Sequence, residues 1–286
     1  MNTVAILGAG ELGATLARRL AETGRFARVC LVDADLGRAK GKALDLLQSG
    51  PVEGYDTHLE GARSLKGLGA VDALVVADST DLPVSIPGLA PPESFVREVV
   101  EATGAGLLVV ATAHGAPLVA QAVRAGLPRV RAVGSSPLAT AAALRWHIAE
   151  QLSVSARAVA LTVLGLPPGH AIVPQGSATV GGVPVAGLSP LALRRAQEAL
   201  KDRVPGAVSL AAAAARVLVA LFGSTPSVLP VFVALEGEYG HRRVALAVPA
   251  RLGHGRVEGI VEAPLETVDR TAFDTLAAQA FAPGAR

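Results

Sequence analysis

Along the first half of the chain, short unbroken apolar runs alternate with longer segments whose apolar residues recur every three to four positions. The runs read as strands buried on both faces, and the periodic segments as helices with one face on a core. On this pattern strands are predicted at residues 4–7, 28–32, 71–77, 107–111 and 130–133, with helices at 14–20, 36–47, 93–103, 117–125 and 138–152. The second of these helices is expected to stop at Ser49, Gly50 and Pro51, and a proline-rich stretch covers residues 82–92. Strict alternation of strand and helix predicts a parallel, doubly wound sheet.

After residue 143 the rhythm changes. A strand is predicted at 159–164, helices at 190–203 and 207–222, and then strands at 228–235, 243–248 and 257–261 joined by glycine-containing turns, before a closing helix at 267–281. Consecutive strands with short turns pair antiparallel. The expected fold is therefore α/β in residues 1–143, a doubly wound parallel sheet, and α+β with an antiparallel sheet in residues 144–286. No flexible linker or internal repeat separates the halves, and only residues 211–215 are compositionally biased, as an alanine run.

The first strand leads directly into Gly8, Gly10 and Gly13, and the second ends at Asp33, 20 residues after Gly13. Each position has a physical task in a Rossmann dinucleotide site. Gly8 permits a sharp turn, Gly10 lets the backbone approach a pyrophosphate, and Gly13 lets helix and strand pack closely. The helix start, with Glu11 and Leu12, presents backbone N–H groups and the positive end of the dipole to the phosphates. A carboxylate at Asp33 can accept from ribose hydroxyls and repels a 2'-phosphate, which favours NAD over NADP. The cofactor-binding set is thus Gly8, Gly10, Glu11, Leu12, Gly13 and Asp33.

Composition narrows the alternatives. The 26 basic and 24 acidic side chains are scattered, and Trp146, Tyr55 and Tyr239 are too few and too separate to stack bases, so no nucleic-acid partner is expected. The longest apolar stretch, residues 207–222, is shorter than the ~20 residues a bilayer requires and contains Arg216, so no membrane partner is expected. One cysteine, Cys30, excludes a disulfide framework, and the first strand begins too close to Met1 for a cleavable leader. A cytoplasmic location follows as an expectation, and no metal ligands are assigned.

Three strings carry a more specific likeness: residues 41–56 (GKALDLLQSGPVEGYD), residues 177–184 (SATVGGVP), and residues 228–231 (VLPV) with 235–240 (LEGEYG). Together they resemble the NAD-dependent malate and lactate dehydrogenases over nearly the whole chain. The resemblance implies NAD as cofactor and a homo-oligomer, dimer or tetramer, with the helix at 36–47 on a dimer interface. It also implies a histidine that exchanges a proton with the substrate hydroxyl, an aspartate that orients it, an arginine that clamps the substrate carboxylate and a second arginine on a closing loop.

None of those four groups is present where the family has it. The histidine position falls on Pro167 or Pro168, the aspartate position on Thr140 and the clamp position on Ala143; residues 78–94 contain no Arg or Lys. The Thr-Asn-Pro string that meets nicotinamide and substrate reads Thr112, Ala113, His114. The principal expectation is a protein that binds NAD(H) without the family's chemistry, as a redox sensor or partner subunit. A second is an active oxidoreductase on a 2-hydroxy or 2-oxo acid with a rebuilt site using His170, then His114, with Arg145 holding an anion. A third is a structural subunit without a ligand.

Overall fold

The computed structural model describes residues 2–77, 91–174, 176–189, 191–201 and 203–281. The expectations about a closing loop and most of the proline-rich stretch fall on residues 78–90, outside the described residues.

Strands β1 (Asn2–Leu7), β2 (Phe26–Val32), β3 (His58–Ala62), β4 (Ala73–Val76), β5 (Leu107–Val110) and β6 (Ala132–Gly134) form the first half of the main sheet. They alternate with helices α1 (Glu11–Glu22), α2 (Leu36–Glu53), α3 (Glu93–Thr103), α4 (Ala116–Arg124) and α5 (Ser136–Leu152). All pairs among the six strands are parallel, in the order β3-β2-β1-β4-β5-β6. That is the strand order of a dinucleotide-binding α/β sheet, with its reversal between β1 and β4. β4 and β5 are buried at every position, as expected of strands covered by helices on both faces.

The remaining elements are β7 (Val159–Ala160), β8 (Leu164–Leu166), β9 (His170–Ile172), β10 (Thr179–Val180), β11 (Val183–Pro184), α6 (Val185–Leu188), α7 (Ala192–Leu200), α8 (Ala207–Leu221), β12 (Ser227–Glu236), β13 (Arg242–Gly253), β14 (Arg256–Ile260) and α9 (Thr267–Phe281). The antiparallel strands continue the main sheet. β12 joins β6 by the pairing of Phe232 with Gly134, and β13, β8 and β9 follow, with β14 also on β13. β7, β10 and β11 form a separate small sheet. α8 packs on α1, so the two halves share one core, and Leu12, Leu16, Leu20, Leu218 and Leu221 are fully buried in it. Residue 143 lies within α5.

Besides the short β9, β10, β11 and α6, which the sequence pattern does not predict, four details differ from the sequence expectation. α2 continues past Pro51 to Glu53 and ends at Gly54, whose φ of 80° gives a left-handed cap. β3 was not anticipated, because His58, Glu60 and Gly61 interrupt its apolar pattern; pairing with β2 creates it. The apolar run at 159–164 divides between two sheets, with β7 in the small one and β8 on β13. β13 extends beyond 248 to Gly253, and Pro249 lies opposite Pro230. None of the helices among the described residues is long and apolar enough to cross a membrane.

Candidate nucleotide and substrate site

The turn from β1 into α1 leaves three residues, 8–10, between strand and helix. Gly8 has φ of 107°, a conformation that side-chain-bearing residues avoid, and its N–H donates to the Val32 carbonyl at 2.7 Å. A Cβ at Gly13 would stand 1.9 Å from the Gly8 carbonyl oxygen, so glycine alone allows α1 this close to the turn. Gly10 is the N-cap of α1 and supplies no side-chain cap. The first helical turn therefore keeps donors available for an anion. Leu12 is fully buried and can offer only its backbone N–H, while Glu11 is exposed.

Asp33 ties this turn to its neighbours. Its Oδ2 accepts from the Ala9 N–H at 2.9 Å and its Oδ1 from the Asp35 N–H at 3.0 Å, while the Arg38 guanidinium stands 3.6 Å from Oδ2. The side chain is only 1% exposed. A cavity of about 200 Å³ opens beside it, lined in part by Gly8, Asp33, Ala34, Arg63 and Glu98. It lies at the carboxyl ends of β1, β2 and β3, where open α/β sheets bind nucleotides. The turn, the helix start and the cavity together fit a dinucleotide. Arg38 and Arg63 were not singled out from the sequence, although Arg38 follows Asp33 by five residues and this spacing was the available signal.

Thr140 of α5 and Pro168 of the β8–β9 turn line one cavity of about 170 Å³, with Leu144, Glu198 and Lys201 among its other walls. Thr140 is buried, and its hydroxyl has no hydrogen-bond partner among the described residues. Among the described residues lining this cavity there is no Asp, His or Arg. Glu198 and Lys201, the ionisable side chains on its wall among the described residues, are both exposed. Pro167 and Pro168 are buried and joined by a cis peptide bond.

The remaining candidates are dispersed. His170, exposed in β9, lines a different groove of about 740 Å³ against Val268, Thr271 and Leu276 of α9. Arg145 donates through Nη2 to the Ala156 carbonyl at 3.0 Å, and Ala143 is half-buried on the same helix. Cys30 is no nucleophile, since burial pushes its thiol up to about 12.

His114 sits half-buried in the loop between β5 and α4, where burial holds its imidazole below the ordinary value. The unfolded chain then binds the proton more readily than the folded one. Its stabilising contribution is complete above the unfolded histidine value of about 6.5 and declines as pH falls through the window below it. Urea melts of wild type and His114→Gln between about pH 5 and 8 test this. The variant should lose less stability on acidification, and identical pH slopes would contradict the assignment.

Comparison with known proteins agrees with this architecture. Residues 188–280 match the model of the lactate/malate dehydrogenase alpha/beta C-terminal domain. The chain is 31% identical over 299 residues to malate dehydrogenase of Thioalkalivibrio sulfidiphilus, covering 96% of this chain and 95% of that one. It is also 31% identical over 301 residues to malate dehydrogenase of Xanthobacter autotrophicus, covering 96% and 92%. Malate dehydrogenase of Salinibacter ruber superimposes with a TM-score of 0.87 at 26% identity, over 97% of this chain and 95% of that one. The chain belongs to the lactate/malate dehydrogenase family, and NAD(H) is the cofactor that membership implies.

Proposed function

We propose that this protein holds NAD(H) in the cleft beside the glycine turn but lacks the family's proton relay and substrate clamp, and acts as a nucleotide-responsive sensor or partner subunit. The observation that carries this reading is the convergence of Thr140 and Pro168 on one cavity. Thr140 is where the family resemblance expects the aspartate, and Pro168 is one of the two positions, Pro167 or Pro168, where it expects the histidine, so their proximity supports the residue match. A threonine hydroxyl and a proline ring cannot exchange a proton with a 2-hydroxy acid near neutral pH.

NAD(H), when bound, supplies or accepts a hydride. In this reading the residues here do less: Gly8, Gly10 and Gly13 admit the pyrophosphate, and Asp33 fixes the turn. Absence of a general acid-base alone costs ~10²- to 10⁴-fold in rate. Truncating one partner of a bidentate charged pair removes a further ~2–5 kcal/mol of binding. The reading with His170 as a replacement shuttle draws less support, since that side chain lines the α9 groove and not the Thr140 cavity.

We read residues 1–143 and 144–286 as nucleotide-binding and dehydrogenase-like C-terminal domains, the compartment as cytoplasmic and the assembly as a homodimer. The exposure of Leu44, Leu47 and Val52 on α2 supports an apolar face available to a second copy.

Melting-temperature titration with NADH and NAD is the test. Wild type should be stabilised as ligand rises above its Kd. Asp33→Ala should weaken binding by about tenfold or more, because two backbone donors lose a charged acceptor, worth about 1–3 kcal/mol. No stabilisation at millimolar nucleotide would leave only the ligand-free structural reading. Turnover of any 2-oxo acid that His170→Asn abolishes would establish the rebuilt site instead.

A further inference from the structure

A threonine within a helix can satisfy its hydroxyl by donating to the carbonyl four residues back. Thr103, Thr271 and Thr275 do so here, at 2.7, 2.8 and 2.8 Å. Thr140, inside α5 and only 3% exposed, has a hydroxyl without a hydrogen-bond partner among the described residues. Leaving a buried hydroxyl unpaired is unfavourable, and Thr140 lines a cavity from which a ligand can supply the missing partner.

The walls of that cavity select the chemistry of such a ligand. Leu144, Pro168, Ala171 and Leu200 give it an apolar lining, and Gln197 adds a second side chain able to donate and accept hydrogen bonds. Glu198 and Lys201 are opposite in sign and exposed, so together they offer no net charge to an ion. No arginine lines the cavity among the described residues, and the wall that Gln197, Leu200 and Lys201 form is the C-terminal end of α7, where the helix dipole disfavours an anion. A carboxylate taken out of water needs a charged partner, whereas a neutral carbonyl needs one donor. The volume of about 170 Å³ sets the size. At about 30 Å³ for each water-sized group, it holds about six non-hydrogen atoms.

We propose that this cavity binds a small uncharged carboxamide, whose carbonyl accepts from the Thr140 hydroxyl and whose amide group meets Gln197. The inference deepens the reading above by naming a ligand class for the emptied cavity, and it rests on that reading only for the loss of the anion clamp.

Methyl NMR of the full chain, following Ala171, Leu144 and Leu200, tests the proposal with butyramide and its isosteric anion butyrate as probes. Butyramide should shift these methyls saturably with a Kd of about 1–10 mM, and butyrate should bind about tenfold more weakly or worse. Thr140→Val keeps the shape of the side chain and removes the hydroxyl. It should melt at or above the wild-type temperature and bind butyramide about threefold to tenfold more weakly. An unchanged Kd in that variant overturns the role of Thr140, and the two probes compared on wild type decide the ligand class even if the variant does not fold. No saturable shift from either probe overturns this proposal alone, since NADH binding is measured separately. Butyrate binding as tightly as butyramide overturns it and also counts against the lost clamp.

Discussion

Gly13→Val should abolish measurable nucleotide binding and lower stability by about 3 kcal/mol or more. Overpacking a well-packed site costs about 1–3 kcal/mol when neighbours can shift. Here the first added carbon would lie 1.9 Å from the Gly8 carbonyl oxygen and 3.4 Å from the Ile6 side chain. Neither neighbour moves freely, because Gly8 is hydrogen bonded to Val32 and Ile6 is fully buried in β1. The helix start must therefore swing away from the turn, separating the donors that would meet a pyrophosphate. Chemical denaturation and NADH titration check both effects, and a variant that folds and binds like wild type would refute the assigned role of Gly13.

Phe273→Ala should be comparably destabilising, at about 3–5 kcal/mol, yet spare the nucleotide cleft. Phe273 is fully buried, with its ring 4.9 Å from that of Tyr239 and 5.8 Å from that of His241. Around it, Arg270 donates to the Tyr239 carbonyl at 2.9 Å, and His241 pairs with Asp274 at 2.7 Å. This cluster pins α9 to the turn between β12 and β13, far along the sheet path from β1 and β2. Thermal unfolding should show a midpoint lowered by roughly 10 °C. At a temperature where the variant remains folded, its NADH affinity should match wild type; lost affinity there would mean that α9 supports the cleft.

The fold was legible wherever local pattern and global packing agree. The fully apolar β4 and β5 and the glycine turn admit few other readings, and the predicted parallel sheet is present. Sequence periodicity failed where a partner decides. β3 carries an unpromising His-Leu-Glu-Gly-Ala pattern, but Gly61 lets it approach the α2 backbone, where a Cβ would stand 2.4 Å from the Lys40 nitrogen. The run at 159–164 contains no signal that its ends belong to different sheets. α2 outlasts Gly50 and Pro51 because the Tyr55 hydroxyl donates to the Leu46 carbonyl at 2.6 Å and packs against Gly50, bracing the last turn.

The candidate site was legible as a list of positions rather than as a geometry. The family resemblance pointed to Thr140 and to Pro167 or Pro168 from strings far apart in sequence, and only the fold shows that Thr140 and Pro168 share a cavity. The burial of Asp33 was not readable at all, because the residue type is the same whether a carboxylate faces a ribose or caps backbone amides. The same blindness concealed Arg38, whose importance comes from its distance to Asp33.

The central claim is that the nucleotide site is retained while the substrate chemistry is lost. Mixing the preformed NADH complex with excess oxaloacetate and following NADH fluorescence over hours tests it most directly. The account predicts a bound-NADH signal that persists without oxidation. Oxidation of the bound NADH at about 1 s⁻¹ or faster, within the ordinary range of enzyme turnover, would contradict it.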